Sequence, residues 1–342
     1  MAKAVSVART ASSGPFHSTQ ARWRYWLILC AVLVVGVGCA AGLLAYKNPV
    51  EFGTRAFWLI AKHRLDGVIA MAIVAFCQGI ATVAFQTVTN NRIVTPSIMG
   101  FESLYRAIHT TTIFLFGAVG FIQASTTGMF VLQIVLMVAL SLLLYSWLLT
   151  SKHANIHAML LIGVVIGGGL GSLSAFMQRL LTPSEFDLLT TRLFGSVTNA
   201  DSEYYPIAIP LCLCAGVAIV LCSRKMNVLL LGREAATNLG VNHKRLSIFI
   251  LVMVSILMAV STALVGPMTF LGFLVATLTY QLAGSFDHRY IFPLAVALGF
   301  VILTGAYFVM NHIFYAQGTV SIIIEFVGGS VFLFVLLRRG RL

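Results

Sequence analysis

The sequence predicts an all-α protein that threads a membrane about ten times. Of its 342 residues, 59% are hydrophobic and only 9% are charged, against about 25% charged in an ordinary soluble domain. Apolar runs recur at about the 20 residues that a helix needs to span a bilayer. They fall at 25–46, 66–89, 99–119, 128–149, 156–180, 204–222, 246–265, 269–284, 290–311 and 319–337. The lysines and arginines gather in alternate loops, which places both termini on the cytoplasmic side. The net charge of +12 is thereby explained by span flanks rather than by nucleic-acid binding.

Residues 1–24 are polar, with Lys3 and Arg9, and read as a disordered cytoplasmic tail ahead of one transmembrane domain over 25–342. Arg22 and Arg24 before the first apolar run resemble a signal peptide. The run is long enough to span and further spans follow, so it reads as an uncleaved helix. The outer loop 47–64 carries Lys47, Arg55, Lys62 and Arg64 against the charge rule. That is either tolerated or a positive docking surface for an acidic external partner. In span three, Glu102 and Arg106 stand four apart in the favourable order and are expected to neutralise each other.

Span five has Gly163, Gly167 and Gly171, extended by Ala175. Such a stripe lets another backbone come close, whether inside the chain, at a subunit interface or at a moving gate. Between spans five and six, Glu185, Asp187, Arg192, Asp201 and Glu203 surround Leu188-Leu189 and Leu193-Phe194. A short amphipathic helix on the outer surface fits that pattern. Five of the six cysteines lie within apolar runs, and Cys222 closes one. Cys212 and Cys214 point to roughly opposite helix faces, so buried packing is expected in place of a metal site or a disulfide.

The segment 231–242 is a soluble-looking patch between two apolar stretches. It reads as a short cytoplasmic helix with Gly240 as C-cap, presenting Arg233 and Glu234 to water. A membrane protein with such a helix has something to dock there, and a separate motor fits. In the last span, Glu325 is an acid at a helix centre, a placement costing ~2.5–3.5 kcal/mol on insertion scales. Ser321 shares its face, and Gly328 and Gly329 continue near it. The face either lines a substrate route or bonds a neighbouring helix.

The sequence contains neither a phosphate-loop signature nor HExxH. His153 and His157 are four apart but lack a third ligand nearby. Catalysis within the chain is not indicated.

Four segments together resemble one family, the permeases of iron–siderophore and vitamin B12 ABC importers, the FecCD type. Asn91-Arg92-Ile93-Val94-Thr95-Pro96-Ser97-Ile98-Met99-Gly100 resembles its N-P-L-A-x-P-x-x-L-G stretch. The run from Gly232 through Arg233, Glu234 and Gly240 to Val241 resembles its G-E-x-A-x-x-L-G-V coupling segment. Gly266-Pro267-Met268-Thr269-Phe270-Leu271-Gly272 resembles G-P-I-x-F-x-G. Asp287-His288-Arg289 with Pro293 resembles D-H-R-x-x-x-P. The likeness runs from about Arg64 to Arg339.

The resemblance implies a permease subunit with the type II ABC importer architecture. Its partners would be a cytoplasmic ABC ATPase dimer, a second and sister permease, an external substrate-binding protein and the lipid bilayer, but no nucleic acid. ATP and magnesium would sit on the ATPase, with no cofactor or metal site in this chain. Gly232, Arg233, Glu234 and Gly240 would couple to the ATPase, and Arg64 would meet the binding protein. Spans five and ten face the path in this family, which would bring in Gly167, Gly171, Ser321 and Glu325.

Three positions depart from the family pattern. Arg64-Leu65-Asp66-Gly67 replaces R-L-P-R, Ala276-Thr277 replaces a Pro-His pair, and Phe101-Glu102-Ser103 replaces small residues. The stretch 95–105 resembles the branch that imports ferric siderophores, catecholates especially, across the bacterial inner membrane. Cobalamin or haem as cargo is the first alternative. An ion-coupled secondary transporter using Glu325 is the second, and a receptor or scaffold without transport the third.

Overall fold

The computed structural model describes residues 14–46, 53–123, 126–150, 156–312 and 320–339. The expectations for residues 1–13, Lys47 and His153 lie outside that range. Thirteen α-helices follow one another among the described residues: α1 Thr19–Ala45, α2 Arg55–Thr89, α3 Phe101–Gln123, α4 Thr127–Thr150, α5 Ile156–Gln178, α6 Pro183–Leu193, α7 Tyr205–Leu221, α8 Ser223–Leu229, α9 Arg233–Asn238, α10 His243–Val265, α11 Leu271–Leu282, α12 His288–His312 and α13 Val320–Arg339. Each of the ten apolar runs is matched by a helix. Seven helices are long and apolar enough to cross a membrane, and Thr127–Leu143, Leu271–Leu282 and Val320–Phe334 add shorter apolar stretches.

Two helices begin earlier than the apolar runs suggest, and capping explains both. Ser18 Oγ accepts the Ala21 amide at 3.1 Å, so α1 starts inside the segment read as tail. Thr54 Oγ1 accepts the Phe57 amide at 3.2 Å and starts α2 within the basic outer loop. Side-chain acceptors at these positions satisfy amides that the first turn leaves unpaired.

The helix α2 forms the axis of the bundle. Nearly every residue from Ala70 to Thr89 is buried, against α12, α10, α7, α11 and α1. Small residues set the crossing of α2 and α12. A Cβ on Gly79 would stand 3.1 Å from the Ala295 backbone, and one on Gly299 would stand 3.3 Å from Ala75. Between helices in lipid, association rests on this kind of close van der Waals approach. Outward faces are apolar, as with Leu27 and Val34 of α1, Leu115 of α3, and Leu161 and Val165 of α5.

Short elements close the bundle between these helices. The helix α3 breaks at Gly117, whose φ is 65°. The helix α6 is the amphipathic element expected within 182–203. Glu185 Oε2 accepts from the Thr182 amide at 3.0 Å and its hydroxyl at 2.8 Å, and Leu189 is buried with Ile113 and Phe121. Cys212 is buried and Cys214 exposed, as their two-residue spacing requires.

Candidate functional site

Two regions gather the residues singled out in the sequence. The first is the exposed turn at α9. Its C-terminus is a Schellman closure: Val241 N–H donates to Ala236 O at 2.9 Å and Gly240 N–H to Thr237 O at 3.0 Å. Gly240 has φ +79°, a conformation that costs a residue with a Cβ. Gly232 caps the other end with φ 90°. Between them Ala236 alone is buried, while Arg233 and Glu234 are exposed. Leu231 and Leu239, each 61% exposed, flank the pair. Charge framed by bare leucine is a docking composition, since the apolar part supplies burial and the charges supply orientation.

The second region is a knot of three bends. Thr269, in the bend between α10 and α11, donates its hydroxyl to Glu102 Oε2 at 2.6 Å. Glu325 of α13 faces the Thr269 backbone amide, and Arg106 is within electrostatic reach of it. Glu102 and Glu325 are thus electrostatic neighbours. A Cβ on Gly328 would lie 2.7 Å from Phe270 Cβ, so α13 is pressed onto this same bend. The bend before α7 closes the other side: Ser196 N–H donates to Val265 O at 2.7 Å. Non-helical backbone at membrane depth is tolerated where it is buried in protein or lines a cavity.

The bend before α3 meets the glycine stripe. Gly100, with φ +95°, would place a Cβ 3.3 Å from Gly167 Cα and 3.4 Å from Gly163 O. A Cβ on Gly171 would reach Ser103 Oγ at 4.0 Å. Of the roles open to the stripe, this is close packing within the chain. Ser321 is 2% exposed and Glu325 half-buried.

The structure corrects one expectation here. Glu102 and Arg106 form no ion pair; among the described residues the ion pair is Asp287–Arg289 at 2.6 Å. The start of α3 is packed inside the protein, where the Thr269 hydroxyl is at hand, while Arg106, one turn on, is exposed. Arg64 bonds to the end of α1. Its guanidinium donates to Leu43 O and Tyr46 O, each at 3.2 Å, and so closes the C-terminus of α1.

Sequence reasoning missed α8, Asn227 on it, and Thr269. A weak signal for α8 was available, because Ser223, Met226 and Leu229, each three apart, are its buried residues. No spacing rule could have joined Thr269 to Glu102.

Comparison with known proteins adds four findings. A family model described as the FecCD transport family matches residues 26–338. "Petrobactin import system permease protein FatC" of Bacillus anthracis is 51% identical over 331 residues, covering 97% of this chain and 94% of that protein. Its namesake YclO of Bacillus subtilis (strain 168) is 38% identical over 279 residues, 82% and 89% of the two chains. Among solved structures, a metal-chelate type ABC transporter in an inward-facing conformation superposes with a TM-score of 0.75 at 20% identity, covering 91% of this chain and 99% of that one.

Proposed function

The chain belongs to the FecCD transport family, and from that premise we propose that it is the permease subunit of an ATP-driven importer whose cargo is a ferric siderophore of catecholate type. It is a membrane permease and not the ATPase. The observation that carries the coupling reading is α9, a turn held by glycines at both ends that presents Arg233 and Glu234 between two bare leucines. The cargo assignment is supported by the full-length likeness to a petrobactin import permease.

In this reading α9 sits on a cytoplasmic ATPase dimer, which binds ATP and magnesium. A sister permease completes the path, and a substrate-binding protein delivers the cargo from outside, with Arg64 at its landing side. Closure of the ATPase pair moves α9 and biases the bundle between outward and inward states. Ser321, Glu325, Gly167 and Gly171 belong to the path-facing helices α13 and α5. Iron travels inside its chelate, so the protein need supply no ligand to the metal.

The test is uptake of radiolabelled iron in a strain lacking the gene, offered as catecholate, hydroxamate and citrate chelates, with labelled cobalamin in parallel. Loss of catecholate-bound iron alone, restored by wild type but not by the Arg233→Ala/Glu234→Ala variant, supports the reading. Loss of cobalamin uptake instead keeps the machine and changes its cargo. Full uptake by the double variant removes α9 from ATP coupling and favours an ion-coupled carrier.

A further inference from the structure

The motif Asp287-His288-Arg289 and the unexpected helix α8 have so far no role in transport, yet they are joined. We propose that Asn227, His288 and Thr87 are positioning residues that pass the displacement of α9 into α12 and α2; the proposal rests on α9 being the ATPase-docking turn. The helix α9 buries only Ala236 and packs on α8 and α10. Through these two it reaches the axis of the bundle, since both pack on α2. The helix α8 also packs on α12, and its Met226 and Leu229 are buried.

Side chains convert that packing into a linkage. Asn227 Nδ2 donates to Asp287 Oδ1 at 3.0 Å. An ionised carboxylate only accepts, so the amide orientation is fixed and Oδ1 faces α12. There it accepts the His288 backbone amide at 3.0 Å and meets His288 Nδ1 at 2.5 Å. Nδ1 therefore carries a hydrogen. The other ring nitrogen, Nε2, lies 2.7 Å from Thr87 Oγ1 on α2. His288 is 1% exposed and Thr87 3%, so water does not compete for these bonds. Arg289 closes the assembly, donating to Asp287 Oδ1 from its backbone amide at 3.0 Å and Nε at 3.2 Å, and to Oδ2 from its guanidinium at 2.9 and 2.6 Å.

The Thr87 contact has two proton arrangements. Its hydroxyl is also 2.9 Å from Val83 O, and one hydroxyl hydrogen cannot serve both acceptors. Either Thr87 donates to Nε2 of a neutral ring, or it donates to Val83 O and accepts from a ring protonated at both nitrogens, a cation that burial disfavours. The heavy atoms need not part in either case, so α8, α12 and α2 stay joined in series. A chain of buried contacts is a spatial argument, and energetic coupling must be measured separately.

The experiment uses the complete assembly, with both permeases, the ATPase and the binding protein, in liposomes with ferric petrobactin as probe. ATP hydrolysis and iron uptake are read together. Thr87→Val keeps the shape and removes the hydroxyl, and Asn227→Ala removes the amide. Each is expected to retain hydrolysis while uptake per ATP falls about tenfold, Thr87→Ser is expected to restore it, and the double variant to be no worse than either single one. Hydrolysis and uptake falling in parallel, or an unchanged ratio in Thr87→Val, would overturn the proposal. If Asn227→Ala fails to assemble, Thr87→Val and Thr87→Ser decide alone. A wild-type assembly whose hydrolysis is indifferent to Arg233→Ala/Glu234→Ala would instead refute the docking role of α9.

Discussion

At the scale of single residues, Asp287 shows how local hydrogen bonding outweighs burial. Burial alone would raise its carboxyl, but bonds from Arg289 and Asn227 overcome that and hold it near 2, below its ordinary 3.8. A depressed folded value means stability that is present above the unfolded pKa and is lost as pH falls through the folded one. Asp287 should therefore stabilise the protein at neutral pH and lose that effect progressively from about pH 4 to below pH 2. With Arg289 half-exposed, the neutral-pH effect is roughly 1–2 kcal/mol after screening. Thermal unfolding of Asp287→Asn in detergent should show that deficit at pH 7 and little difference from wild type at about pH 1.5, below both pKa values. A deficit equal at both pH values would show that the carboxylate charge is not what matters. The same scale explains the misread pairing of Glu102. Four-residue spacing identified a partner within reach on the helix, but the hydroxyl of Thr269 comes from a bend 167 positions away in sequence.

At the scale of elements, hydrophobic runs located every long helix, because lipid solvation demands continuous apolar length. Ends were less legible, since Ser18 and Thr54 start helices in polar sequence where no apolar signal exists. The helix α9 was readable because glycine marks its closure and the flanking stretches are so apolar. Its geometry makes a prediction. Gly240→Ala forces a Cβ into a left-handed conformation at a cost of about 1 kcal/mol, with nothing within 4 Å for that Cβ to strike. The change should loosen α9 without harming the bundle. The ATPase activity stimulated by the assembled permease should fall several-fold while the melting temperature of the isolated permease moves little. Normal stimulation would mean that the turn's shape is not read by the partner.

At the scale of the whole molecule, the fold class and the span count were plain from composition, while the arrangement around α2 was not. Apolar helices look alike in sequence; what ranks them is which faces carry small residues, and that becomes visible only when partners are known. At the crossing of α2 and α12 the approach is to backbone, which cannot give way as a flexible side chain can. Gly79→Val should overpack it by about 1–3 kcal/mol, seen as reduced accumulation in the membrane and a lowered melting temperature. Unimpaired accumulation would mean that the helices can separate at low cost.

That crossing has a consequence for inheritance. Gly79 receives Ala295 of α12, and Gly299 receives Ala75 of α2, so each helix holds one notch and one bump. Neither helix can change at these positions alone without a clash or a void. Enlargement at one position becomes tolerable only after its opposite has shrunk, and the intermediate genotype carries the defect. Descendants of this chain should thus keep these four positions small, or change them in matched pairs.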